Sequence, residues 1–150
     1  MELIQGYQVR SGSSLDRALL VKFMQKTYQE LAPKQDFSHL VLTVEQYLSR
    51  ETPLWWVLDS DATVACLWAG TAIDQIAGDR IAHIFLLYVA PDHRRRGIAK
   101  VLMALGETWA IDKGLGAIGL QVFQTNSSAK NLYDRLGYQT QSLSMVKPLK

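Results

Sequence analysis

Leu87-Tyr88-Val89-Ala90-Pro91-Asp92-His93-Arg94-Arg95-Arg96-Gly97-Ile98-Ala99-Lys100 is the stretch on which the reading of this chain turns. It joins the end of a nearly continuous apolar run, Ile81–Val89, to a long segment that begins at Gly97. Such a run reads as a strand buried on both faces and central in its sheet, and Pro91 stops it. Beyond Gly97, Ile98, Val101, Leu102, Leu105 and Trp109 fall at i, i+3, i+4, i+7 and i+11, one apolar stripe of a helix running to about Lys113. The first turn of that helix presents unpaired N–H groups and a partial positive charge. Gly97 and Ala99 remove side-chain bulk there, so a ligand can come close to the backbone. Between Pro91 and Lys100, Arg94, Arg95, Arg96 and Lys100 stand against Asp92 alone. Several N–H donors, a favourable dipole and no steric wall are what a pyrophosphate requires. The competing reading is a solvated basic loop before an ordinary helix start.

The elements on either side give an α/β layered order, β-α-α-β-β-β-α-β-α-β. Leu3–Arg10 reads as a first strand. Ser13, Ser14 and Asp16 offer caps for a helix running to about Leu31, whose Leu15, Leu19, Phe23 and Met24 are helically spaced, and Pro33 closes it. Thr43-x-x-Gln46 has capping-box spacing and predicts a shorter helix, Thr43–Arg50. Leu54–Leu58 and Thr63–Thr71 flank Asp59-Ser60-Asp61, a hairpin signal. After the long helix, Leu115–Phe123 reads as a strand. A short helix follows from the spacing of Ala129, Leu132, Tyr133 and Leu136, with Asn126 or Ser127 as cap and Gly137 as stop. Tyr138–Leu149 is expected to return as one or two strands. Gly114-x-Gly116-x-x-Gly119 matches the dinucleotide fingerprint letter for letter, but here the helix precedes and the strand follows. The phosphate chemistry of that motif needs the opposite order.

Composition bounds the rest. The 150 residues, 48% apolar and 20% charged, suit one folded domain, and intrinsic disorder is excluded by the apolar content. The net charge of +2 is too mild for a nucleic-acid binder. Cys66, the only cysteine, allows neither an intrachain disulfide nor a cysteine-based zinc site, and no metal site is expected. The longest uncharged apolar run, Ile84–Pro91, is far below the roughly 20 residues of a membrane span, and the N-terminus lacks the pattern of a signal peptide. A cytoplasmic chain with no membrane partner is the expectation, and the sequon at Asn126 is then chemically irrelevant.

Two blocks carry a resemblance. Arg94-Arg95-Arg96-Gly97-Ile98-Ala99, with Val89 and Pro91 before it, is similar to the Gln/Arg-x-x-Gly-x-Gly/Ala signature of the GNAT superfamily of acyl-CoA-dependent N-acetyltransferases. Leu120-Gln121-Val122, Asn126, Ala129 and Leu132-Tyr133-Asp134-Arg135-Leu136-Gly137-Tyr138 resemble the family's later strand, Asn and helix, about 30 residues on and in the expected order. The likeness covers Ile81 to Tyr138; the N-terminal half agrees only in the order of its elements. It implies a single GNAT-like domain over residues 1–150. The expected fold is a central mixed, mostly antiparallel sheet with one splayed pair of strands, flanked by about four helices.

The resemblance also implies a mechanism. Acetyl-CoA would be the co-substrate, with its pantetheine arm lying between the splayed strands like an added strand. Leu87, Tyr88 and Val89 would supply main-chain contacts. The N–H groups from Arg95 through Arg96, Gly97, Ile98 and Ala99 to Lys100 would hold the pyrophosphate, and a basic side chain among Arg94, Arg95 and Lys100 would reach the 3′-phosphate. A neutral primary amine (a peptide N-terminus, a lysine or a small amine) would attack the thioester directly. The Val89 N–H would hold the oxyanion and Tyr133 would protonate the thiolate. Tyr133 also lies on its helix's apolar stripe and reads equally as a core residue; Asn126 reads as a cap, a CoA contact or both.

The general base departs from the pattern. Gln121 stands where ribosomal-protein alanine acetyltransferases carry a Glu, and no carboxylate lies between Ile81 and Pro91. His83 is the only titratable base on that strand, on a face shared with Phe85 and Leu87, so it reads either as a base or as a buried, satisfied histidine. Glu30, Glu51 and His39 lie in regions that border the acceptor side, and a water chain is the remaining route. Trp55, Trp56 and Trp68 read as core or as an aromatic wall for the acceptor, and Cys66 as core. The family makes a homodimer through the C-terminal strands ordinary. The missing carboxylates leave a second reading open, an acyl-CoA-binding sensor module without turnover.

Overall fold

In the computed structural model, which describes residues 5–150, the chain folds as a five-stranded sheet in the order β1-β2-β3-β4-β5. The strands are β1 (Tyr7–Ser11), β2 (Leu54–Asp59), β3 (Ala62–Ile73), β4 (Arg80–Val89) and β5 (Ile118–Leu120). The first four pair antiparallel and β5 pairs parallel with β4, so the sheet is mixed. Four helices flank it: α1 (Arg17–Leu31), α2 (Leu40–Tyr47), α3 (Ile98–Asp112) and α4 (Ser127–Arg135). None is long and apolar enough to cross a membrane.

The apolar stripes of the helices divide the core between the two faces of the sheet. On one face Leu20, Phe23 and Met24 of α1 and Leu40 and Val44 of α2 meet Trp56, Trp68 and Tyr88. On the other, Ile98, Leu102 and Met103 of α3 cover Leu67, Ala69 and Ile84. The run Ile81–Val89 is therefore covered on both sides, as its composition demands. A β-bulge adjusts it: the register with β3 slips between Trp68 and Ala69, leaving Phe85 as an extra residue on β4. Two residues opposite one shift the alternation. Ile84 packs toward α3, Phe85 and Leu86 both pack toward α1, and Leu87 returns to the α3 face. His83 keeps company with Phe85 (5.4 Å between rings, edge-on), but Leu87 no longer shares their face.

Several expected boundaries move. β1 runs over Tyr7–Ser11, and Leu3 and Ile4 lie outside the described residues. α2 begins at Leu40, one turn before Thr43, because burying Leu40 and Val44 on the same face outweighs the capping-box spacing. β5 contains only Ile118–Leu120, since a strand extends only as far as its ladder, and the pairing with β4 stops there. Residues 139–150 form no strand and are exposed throughout, contrary to the expected C-terminal strands; nothing in the structure pairs with the outer edge of β5 among the described residues. The glycine-rich triplet sits as its order predicted: Gly114 (φ +75°) follows α3 and Gly119 lies within β5, so the motif opens into a strand and not into a helix.

Candidate active site

β4 and β5 pair over Ala82↔Ile118, His83↔Gly119 and Ile84↔Leu120, and then part. Past Ile84 the edge of β4 that faces β5 has no strand beside it, while its other edge stays zipped to β3 as far as Val89. The splayed pair is thus one end of a parallel ladder that fails to continue.

Which backbone groups the gap receives follows from the ladder. The Ala90 N–H donates to the Val64 carbonyl at 2.8 Å, making Ala90 and Val64 a hydrogen-bonded pair. In an antiparallel ladder bonded and non-bonded pairs alternate. Val89↔Ala65 and Leu87↔Leu67 are therefore non-bonded pairs, and their N–H and C=O groups point away from β3 into the gap. Tyr88, opposite Cys66, turns its backbone to β3 and its ring to α1, 5.0 Å from Phe23. Leu87 and Val89 are placed as main-chain donors to the gap; Tyr88 is not, because its N–H and C=O belong to the ladder.

Beyond β4, a one-turn 3₁₀ segment, Pro91–His93, leads to α3. Arg95 (φ +64°) and Gly97 (φ +83°) are both left-handed, and Gly97 is the N-cap residue of α3. A side chain at Gly97 would resist this conformation. The first helical bond runs from the Val101 N–H to the Gly97 carbonyl. The N–H groups of Arg95, Arg96, Gly97, Ile98, Ala99 and Lys100 consequently donate to no acceptor among the described residues. Alternating backbone hands followed by a helix start curve such donors around one point, a concavity suited to an anion. Ile98, 3% exposed, pins this turn into the core.

The basic side chains divide. Arg94 Nε–H donates to the Val89 carbonyl at 2.8 Å and Nη2 donates to Glu30 Oε1 at 2.6 Å, tying the end of β4 to α1. Arg96 Nη1–H donates to the Tyr7 hydroxyl at 2.8 Å. Arg95 and Lys100 make no side-chain hydrogen bond or ion pair among the described residues, which leaves them available to a phosphate. Tyr7 and Glu30 as holders of the arginines went unread, since no sequence spacing links residue 7 to residue 96.

On the far side of the gap, Asn126 caps α4 by accepting from the Ala129 N–H at 3.2 Å. Tyr133 is partly buried against the α3 face of the core, edge-on to Tyr138 at 5.8 Å. Burial pushes the Tyr133 phenol up to about 12. The Tyr138 hydroxyl donates to Glu107 Oε2 at 2.9 Å, and burial together with that carboxylate pushes its phenol up as well. The loop across from α1 brings Phe123 edge-on to Tyr28 at 5.9 Å.

The remaining expectations sort by position. His83 lies where β4 and β5 are still paired, six residues and about 20 Å from Val89, and burial holds its imidazole below the usual histidine range. It stands on the paired stretch of the two strands and not beside Val89. Trp56 and Trp68 are fully buried on the α1 face and Trp55 packs on the opposite one, so the three form no aromatic wall. The Trp56 indole donates to Asp16 Oδ2 at 3.1 Å; that of Trp68 has no partner among the described residues. Burial pushes the Cys66 thiol far up, which removes it as a nucleophile. Glu51 and His39 stay exposed near α2, and only Glu30 is tied to the end of β4.

Residues 19–138 match the model of the acetyltransferase (GNAT) family. Mycothiol acetyltransferase of Rhodococcus opacus (strain B4) is 37% identical over 71 residues, which are 46% of this chain but only 23% of that protein. Among solved structures, a GCN5-related N-acetyltransferase from Ralstonia eutropha JMP134 superimposes with a TM-score of 0.76 at 22% identity, over 96% of this chain and 99% of that one. Aminoglycoside N-acetyltransferase AAC(6')-Iy in complex with CoA gives 0.73 at 16% identity, over 95% and 93%. At such identities the structural likeness is one of fold. The chain spans about a quarter of the length of the mycothiol acetyltransferases it matches. With the family model covering four-fifths of its length, the chain belongs to the acetyltransferase (GNAT) family.

Proposed function

We propose that residues 1–150 form a single N-acetyltransferase domain that moves an acetyl group from acetyl-CoA to a primary amine. The observation that carries this is the one-sided opening of β4. It ends in a loop with six unpaired N–H groups and two uncommitted cations, Arg95 and Lys100. Pantetheine is a chain of amides, and Leu87 and Val89 offer it a strand edge; the pyrophosphate then falls on the loop. Arg95 and Lys100 are assigned to the phosphates, Arg94 and Arg96 to holding the loop. The structural neighbour solved with CoA supports the choice of co-substrate.

In the proposed reaction the amine lone pair attacks the thioester carbonyl. The C–N bond forms, the carbonyl electrons move onto oxygen and are held by the Val89 N–H, and collapse expels the thiolate as the C–S bond breaks. The amine loses its proton to water, since neither β4 nor β5 contains an Asp or Glu. Tyr133 is assigned to the leaving sulfur. At about 12 its phenol stays protonated and outranks a thiol near 8.5. It therefore stabilises the thiolate mainly as a hydrogen-bond donor, with the final proton drawn from solvent.

A second reading, an acyl-CoA-binding module without turnover, is favoured by one observation: Glu30, the carboxylate tied to the end of β4, is engaged by Arg94. The two readings part in one assay. CoA release from acetyl-CoA is followed with a thiol reagent across amines, amino acids and short peptides, beside calorimetry with CoA. Turnover with any amine supports the enzyme; binding with no turnover supports the module; the absence of both refutes the CoA reading.

A further inference from the structure

The loop that cradles the anion has little of its own to hold it. Its internal backbone bonds are His93 N–H to the Ala90 carbonyl (2.9 Å) and a longer one from Arg94 to Pro91 (3.4 Å). It contains a left-handed non-glycine residue, Arg95, and three consecutive like charges, each of which favours opening. Its shape is therefore set by tertiary contacts, and one of them comes from the opposite edge of the sheet. The Tyr7 hydroxyl, on β1, lies 2.8 Å from His93 Nδ1 and 2.8 Å from Arg96 Nη1, and the Tyr7 and His93 rings meet edge-on at 5.7 Å. A guanidinium can only donate, so the phenol oxygen accepts from Arg96. With His93 it then either donates its single proton to Nδ1 or accepts a second bond from Nδ1–H, according to the imidazole tautomer, and is bonded to both partners in either case. One hydroxyl thus links the two ends of the segment from His93 to Arg96, just before the left-handed turn at Gly97.

We infer that Tyr7 is a positioning residue for the CoA pyrophosphate, with His93 and Arg96 as its two anchors. The chain of contacts pre-sets the N–H groups of Arg95 to Ile98 instead of leaving the ligand to order them, and pre-organisation of this kind appears as affinity. The inference rests on the CoA reading above. It gives Arg96 a role that faces away from the ligand, and it makes the first strand, remote from the gap, part of the binding apparatus.

Tyr7→Phe keeps the ring and removes only the hydroxyl. Binding of CoA is measured by calorimetry and binding of pantetheine, which lacks the pyrophosphate, by NMR titration, with thermal unfolding recorded for each variant. The expected result is a loss of about tenfold in CoA affinity with pantetheine affinity unchanged, and the same for His93→Leu. His93→Asn, whose amide oxygen can take the place of Nδ1, should return to within about threefold of wild type. Equal weakening of both ligands would show a general loosening of the domain and overturn the inference, as would unchanged CoA affinity in Tyr7→Phe. Wild-type protein that binds pantetheine and CoA equally, or neither, would instead overturn the CoA reading itself and the inference with it.

Discussion

The two edges of β4 have opposite fates. Toward β3 it is paired from Arg80 to Val89, with only the bulge at Phe85 interrupting the ladder. Toward β5 it is paired over three residues and then left open. The closed edge contributes to stability and the open edge supplies the proposed binding surface, and the alternation of a strand decides which residue serves which. Tyr88 and its neighbours Leu87 and Val89 are adjacent in sequence, yet they work on opposite sides. Exposed strand edges are normally a hazard of unwanted pairing; here the open edge is the one proposed to receive an extended ligand.

Proline substitution breaks this comparison most sharply. Tyr88→Pro removes a ladder N–H from an interior strand and should abolish soluble folded protein, read by circular dichroism. Val89→Pro removes an N–H that the ladder does not use, so the protein should stay folded while CoA affinity falls about tenfold and turnover falls further. Equal unfolding of the two variants would sink the assignment of edges. At the loop, Gly97→Val forces a β-branched residue into a left-handed backbone and puts a side chain in the anion cradle. CoA affinity should drop by roughly 30-fold or more in titration calorimetry.

The wall opposite the open edge is tested by Tyr133→Phe, expected to lower kcat about tenfold with little change in KM for acetyl-CoA. The pH dependence sharpens it. The folded-state phenol is raised to about 12 from an ordinary 10, so the neutral form is the one the fold favours. The stability this contributes is complete below pH 10 and is lost as pH climbs from 10 through 12. Wild type should therefore lose thermal stability over that interval more steeply than Tyr133→Phe, and Tyr133 should add no limb to the rate profile between pH 7 and 9.

The smallest effects concern the closed side of the core. Trp56→Phe breaks the indole bond to Asp16, which also caps the turn at Ser13, and should cost about 2–3 kcal/mol in denaturant unfolding. Trp68→Phe gives up no hydrogen bond and removes a buried unpaired donor, which offsets part of the lost packing, so it should cost clearly less. A larger loss at Trp68 than at Trp56 would contradict the orphaned indole.

Much of the fold was legible because its signals are local. The stripe from Ile98 to Trp109 dictates a helix by burial, Gly97 marks its start by its conformation, and the apolar run before Pro91 requires cover on both faces. The strand–loop–helix order with unpaired N–H groups follows from those three, and so does the rejection of Gly114-x-Gly116-x-x-Gly119 as a dinucleotide site. The sequence also determined that Cys66 is core material, through its place in an apolar strand.

What the tertiary structure alone decided lies between elements. The bulge at Phe85 depends on how β4 meets β3, and by shifting the alternation it separated Leu87 from His83 and gave the gap Leu87 and Val89 but not Tyr88. The end of the β4–β5 ladder at Ile84↔Leu120 left His83 on the paired stretch, six residues from Val89. In sequence Arg94 and Arg95 were equal candidates for the 3′-phosphate, and Arg96 stands directly beside them. Only the folded chain brings Glu30, 64 positions away, to Arg94 and Tyr7, 89 positions away, to Arg96, and neither to Arg95. Periodicity records which face a residue buries, because burial is decided within one helix or strand. It carries no record of which distant side chain arrives beside it, because that is fixed by packing of the whole sheet.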